Sequence, residues 1–116
     1  MVFAVDFDGT IVENKFPQIG EIKPGAIETL KALQQLEHKL ILWTCRKDAE
    51  LQEAVAFLIS KGIKMDAVNQ NVDEDFTGRK IFAHVYIDDR SFPPFMGWEA
   101  LNDYFIKDLD SHGIYR

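Results

Sequence analysis

Cysteine is what this chain has least of: Cys45 is the single one among 116 residues. One thiol cannot build an internal disulfide framework, which excludes the small stapled scaffolds and suits a reducing cytoplasm. Histidines are few and dispersed. His38 precedes an apolar run, His84 lies inside another and His112 is near the end, so no zinc-ligand spacing is present. No stretch approaches the roughly 20 consecutive apolar residues of a membrane helix, and no basic N-terminal region leads into a hydrophobic segment. Neither a membrane partner nor a signal peptide is expected. Basic runs are missing too. Lys47, Lys61, Lys64, Arg79 and Lys80 are spread along a chain of formal net charge -6, so nucleic acid is not the expected partner.

What is present is enough for one domain. With 47 % hydrophobic and 28 % charged residues, the chain suits a single compact unit over residues 1–116 with a real core. Val2 to Val5 is apolar on both faces, the pattern of a central parallel strand. Residues 11–20 read as a loop or small hairpin beyond that strand. Pro24 suits the first position of a helix with Ile27, Leu30, Leu33 and Leu36 on its apolar stripe, ending near Glu37. Leu40 to Trp43 is a second buried-strand signal, followed by Thr44. Asp48 suits a cap for a helix whose inner face uses Leu51, Val55, Leu58 and Ile59, with Gly62 as its stop. Ala67 to Asn69 reads as a short strand, Asn71 to Arg79 as a loop, and Ile81 to Ile87 as the last strand. Pro93 and Pro94 break the chain before a final helix carrying Trp98, Leu101 and Phe105 and ending before Gly113.

Strands alternating with helices predict a three-layer α/β/α, Rossmann-like domain with a central parallel sheet of about four strands. In such sheets ligands sit outside the carboxyl ends of the strands. Asp6 with Asp8, Thr44, and Asp88 with Asp89 all follow strand ends, so the fold would gather them along one edge. A period of two directs the Asp6 and Asp8 carboxylates to the same side, with Phe7 opposite. An isolated D-x-D is ordinarily only a polar strand end. The convergence of several strand ends makes it a site.

These residues resemble the haloacid-dehalogenase-like superfamily of phosphatases. Asp6-Phe7-Asp8-Gly9-Thr10 matches its D-x-D-G-T signature. Leu40 to Thr44 looks like its second motif, Lys80 like its third, and Tyr86-Ile87-Asp88-Asp89 like its fourth, in the same order. The resemblance implies a Mg²⁺-dependent phosphate-monoester hydrolase acting through an aspartyl-phosphate. Asp6 would be the nucleophile, and Asp8 the general acid and base. Metal ligands would be Asp6, the backbone carbonyl of Asp8, and Asp88 and Asp89, one of which touches the ion directly. Thr44 and Lys80 would bind the phosphoryl group, with help from backbone N–H groups around Phe7 and Asp8. Arg46 is placed at the mouth of the site, facing substrate or in a surface ion pair.

Two other chemistries fit the sequence less well. A cysteine phosphatase needs C-x5-R, and the arginine position counted from Cys45 is Leu51; Cys45 is therefore expected as a small packing residue. A non-catalytic phosphoacceptor resembling receiver domains would place its phosphoacceptor after the third strand and its lysine after the last. Here Asn69 and Lys80 break that order. Residues 11–23 and 45–79 leave no room for a cap domain. The expected substrate is a small phosphorylated metabolite, with closure by a homo-oligomer; Phe16, Phe92, Phe95 and Trp98 would either anchor that contact or pack under their own loops.

Overall fold

A computed structural model of the chain describes residues 1–107. Four strands form its parallel sheet: β1 (Val2–Val5), β4 (Lys39–Leu42), β5 (Ala67–Val68) and β6 (Val85–Ile87), in the order β5-β4-β1-β6. Register aligns their carboxyl ends. Val5 pairs with Leu42 on one side and Ile87 on the other, and Leu42 pairs with Val68. An antiparallel hairpin, β2 (Val12–Lys15) with β3 (Gln18–Ile22), follows β1 directly, as expected for residues 11–20. Helices α1 (Ala26–Gln35) and α2 (Asp48–Ser60) connect β1 to β4 to β5. A short α3 (Trp98–Asn102) runs into one π-helical turn, Asp103–Lys107. The expected end of that helix before Gly113 lies outside the described residues.

Alternation along each strand divides the core. Phe3, Val5, Leu40 and Leu42 share one cluster with Leu30 and Leu33 of α1, Ala54 and Leu58 of α2, and Trp98 and Leu101 of α3. Ala4, Ile41 and Ala67 face the other way. There the cover is an irregular segment within residues 69–84, which lays Ile81 and Ala83 on the sheet. Tyr86 fastens it: its hydroxyl donates to the Ile81 carbonyl and accepts the Ala83 N–H at 3.2 Å. The fold is thus a Rossmann-like α/β sheet, and β1 is where the chain changes direction. Successive crossovers move away from β1 through β4 to β5, and the return to β6 lands on its opposite side.

Several local expectations need correction. Helix α1 begins at Ala26, not Pro24, because Gly25 adopts φ 81° and cannot lie within a right-handed helix. Lys47 occupies the cap position of α2 and Asp48 is its first residue. Ile59 is 61 % exposed, being one residue past Leu58 and so rotated about 100° away from the buried face. Residues 81–84 do not join the last strand, since β1 begins at Val2 and offers no partner beyond His84, whose N–H reaches the Val2 carbonyl at 2.8 Å. Their donors bond sideways instead, Phe82 N–H to Asn71 Oδ1 at 2.7 Å for example.

Candidate active site

The chain leaves β1 through a turn that needs glycine. Gly9 has φ +89° and donates its N–H to the Val12 carbonyl at 2.8 Å, while Phe7 C=O accepts from Thr10 and Ile11 N–H. This folds Thr10 back beside Asp6. The Thr10 hydroxyl lies 3.1 Å from Asp6 Oδ2 and 3.2 Å from Asp89 Oδ1, and its oxygen accepts Asp89 N–H at 3.1 Å. Buried Trp98 secures Thr10 from below by donating Nε1–H to its carbonyl at 2.9 Å.

Asp6, Asp88 and Asp89 converge as their place at the ends of β1 and β6 requires, each offering an oxygen within 4.8 Å of the others. Asp6 N–H donates to the Ile87 carbonyl at 3.0 Å and so holds the two strand ends together. Burial above all, then the neighbouring Asp89 and Asp88 carboxylates, push Asp6 up to about 7 against the pull of hydrogen bonds from Thr10 and the Phe7 N–H. Like charges are pressed together. The donor set is all oxygen, the chemistry that suits a hard cation such as Mg²⁺. Gathering Asp6, Asp88 and Asp89 at one edge agrees with the sequence expectation.

Asp8 is also at this edge, but its carboxylate is engaged differently. Arg46 Nε donates to Asp8 Oδ2 at 2.7 Å and Nη2 to Oδ1 at 2.8 Å. The remaining donors go to carbonyls: Nη1 to Pro17 and Glu50, both at 3.2 Å, and Nη2 to Gln18 at 3.0 Å. All five guanidinium donors are thereby matched. The guanidinium also lies over the Phe7 and Phe16 rings, whose centroids are 5.1 and 5.2 Å from Cζ. At 2 % exposure, Arg46 makes a buried ion pair rather than the surface one expected, and it forms part of the cleft wall. The bond to Asp8 raises the guanidinium further above its already high range.

Thr44 stands where it was expected, lining a cleft of about 370 Å³ with Asp6, Asp8 and Asp88. Its Oγ1 accepts the Arg46 N–H at 3.1 Å, which leaves the hydroxyl proton to be directed elsewhere. Its own N–H donates to Asn69 Oδ1 at 2.8 Å. Asn69 has φ 53°, a left-handed conformation that Asn tolerates better than most residues. Asn69 was expected to end the short strand, which stops instead at Val68; a left-handed Asn just after a strand is the signal that points to this role.

Lys80 is not brought to the cleft. It is exposed on the irregular segment and lines a separate cavity of about 690 Å³ with Phe76, Phe82 and Tyr86. The reason is the short β6, which leaves residue 80 on the second face of the sheet. The ion pairs among the described residues, Arg46 with Asp8 and Lys107 with Asp103, do not include it. Arg90, passed over in the sequence, does line the cleft, as do Asn14 and Phe16 of the hairpin. Cys45 is exposed there rather than packed. Phe7 turns its ring into the core, and its N–H serves Asp6. Of the aromatics expected to anchor an interface, Phe95 and Trp98 pack on each other at 5.0 Å, while Phe16 is 56 % and Phe92 99 % exposed.

No family model matches the chain, and no curated protein matches it. Among solved structures it is similar to a conserved protein from Bacteroides thetaiotaomicron, with 40% sequence identity over 98% of this chain and 92% of that chain and a TM-score of 0.82. None of its helices among the described residues is long and apolar enough to cross a membrane.

Proposed function

We propose that this chain, which belongs to the same family as the conserved Bacteroides thetaiotaomicron protein, is a Mg²⁺-dependent phosphate-monoester hydrolase of the haloacid-dehalogenase-like type. The observation that carries the reading is the crowding of Asp6, Asp88 and Asp89 within 4.8 Å, with Asp6 raised to about 7. Such an arrangement is unfavourable until a cation joins it. Asp6 and Asp88 with the Asp8 carbonyl would hold the ion, and Asp89 would brace Thr10 and the turn. When bound, Mg²⁺ would neutralise charge on the phosphoryl oxygens and hold Asp6 as a carboxylate.

The residues of the chain divide the remaining work. An Asp6 oxygen bonds to phosphorus as the bond from phosphorus to the leaving oxygen breaks, and Asp8, once a proton from solvent has weakened its pairing with Arg46, gives that proton to the leaving oxygen. Asp8, now a carboxylate, takes a proton from water. The water oxygen bonds to phosphorus, the Asp6–phosphorus bond breaks, and inorganic phosphate departs, leaving Asp6 a carboxylate and Asp8 again the protonated acid. The Thr44 hydroxyl donates to a phosphoryl oxygen, and Arg90 supplies positive charge at the rim.

A cleft of about 370 Å³ suits a small phosphate ester. With Phe16 exposed at the rim and Phe92 exposed after β6, association of two copies would limit water access during transfer. The test is release of inorganic phosphate from a panel of sugar phosphates, nucleotides and aryl phosphates, with and without Mg²⁺. Wild-type turnover that disappears in Asp6→Asn supports the reading. Stoichiometric phosphorylation without turnover would instead favour a phosphoacceptor domain.

A further inference from the structure

Arg46 ties its own loop and the start of α2 to two parts of the molecule that lie far from it in sequence. Its guanidinium holds the Asp8 carboxylate through two bonds, the tip of the β2–β3 hairpin through the Pro17 and Gln18 carbonyls, and the first turns of α2 through the Glu50 carbonyl. Its own backbone N–H binds Thr44. Phe16, at the same hairpin tip, and Phe7 both place their rings against the guanidinium. No donor is left over, so the hairpin cannot lift without breaking bonds on the group that fixes Asp8. Equally, Asp8 cannot turn away without loosening the group that fixes the hairpin.

We infer that Arg46 is a positioning residue that ties the orientation of Asp8 to the docking of the β2–β3 hairpin, so that acid/base work at Asp8 and closure of the hairpin depend on each other. The catalytic consequence rests on the phosphatase reading above; the mechanical coupling does not. A free-energy link between two sites acts equally in both directions. Removing the Asp8 anchor must therefore loosen the hairpin, and removing the guanidinium must disturb both. Lysine is a poor substitute, because a compact ammonium with three donors cannot reproduce a planar fork with five.

Two measurements on the full chain separate the coupling from the activity. In the first, amide hydrogen exchange is followed in wild type, Asp8→Asn and Arg46→Lys. Exchange in the paired hairpin residues is expected to rise at least about 10-fold in both variants, the equivalent of about 1.4 kcal/mol, while β1 and β4 stay protected. Unchanged hairpin exchange in Asp8→Asn overturns the coupling whether or not the protein is a phosphatase. In the second, turnover of glycerol 2-phosphate is compared with that of 4-nitrophenyl phosphate, whose leaving group departs without needing a proton. Arg46→Lys should lower kcat on the alkyl ester by about 100-fold, within the usual range for losing general acid catalysis, and on the aryl ester far less, with KM little changed. Equal losses on both esters would overturn the positioning role. A wild-type protein inactive on both would sink the phosphatase reading and leave the exchange result to decide the coupling.

Discussion

The bare α-carbon of Gly9 lies against the carboxylate of Asp89: a Cβ built there would stand 2.5 Å from Oδ2 and 2.9 Å from Cγ. The same glycine has φ +89°. An alanine would meet both obstacles, since a side chain in left-handed backbone costs about 1–2 kcal/mol and Asp89 would have to leave Thr10. Gly9→Ala should lower the thermal midpoint and cut turnover by about 100-fold, the order expected when a reacting group is displaced by about 1 Å. Wild-type turnover in this variant would show that Asp89 has no part in the site.

Asp6 makes the pH dependence of the metal-free protein run opposite to that of a salt-bridged carboxylate. Its pKa rises from 3.8 to about 7 on folding. Between those values the folded chain binds the extra proton, so this group's stabilisation is full below about 4 and is lost as pH rises through about 7. Thermal midpoints in chelator should therefore fall across that window. Asp6→Asn should flatten the fall and be the more stable protein at pH 8. Added Mg²⁺ should raise the wild-type midpoint more at pH 8 than at pH 5, because the ion binds the carboxylate.

Trp98 anchors the site from beneath. Replacing it with Phe keeps most of the ring packing but removes the donor to the Thr10 carbonyl. A buried carbonyl left without its partner costs about 1–3 kcal/mol, which urea unfolding would detect. Because Thr10 also bonds Asp6 and Asp89, turnover should fall as well. A variant as stable as wild type would mean that the carbonyl finds another donor.

Asn69 offers a test of backbone against side chain. Asn69→Gly retains the left-handed φ and loses only the acceptor for Thr44 N–H, whereas Asn69→Ala loses both. The alanine variant should be the less stable by about 1 kcal/mol or more. Both should turn over more slowly than wild type, by similar factors, if the bond to Thr44 is what serves the cleft. Steady-state kinetics beside thermal melts would separate the two effects.

Much of this was legible in sequence because it depends on short-range pattern. Four apolar residues ending on Asp6, another apolar run ending before Thr44, and a third ending on Asp88 and Asp89 specify parallel strands with reactive ends. Their alignment then follows from the parallel ladder, in which Val5, Leu42 and Ile87 share one row. The hairpin after β1 and the stop at Gly62 were equally readable, since turns are set by local backbone chemistry.

Arg46 and Lys80 mark where that legibility ended. Each sits beside one other cation in loop sequence, Arg46 before Lys47 and Lys80 after Arg79, and charge alone predicts solvent or substrate for each. Arg46 is buried because the hairpin tip and α2 present carbonyls, and Phe7 and Phe16 present ring faces, at one point in space. Lys80 lies apart because β1 is too short to carry β6 back past His84. Sequence by itself determined which strands end in chemistry, since period and turn residues act over a few positions. Tertiary structure alone decided which side chains share a partner, because a buried guanidinium must match all its donors and those acceptors come from segments that only folding brings together.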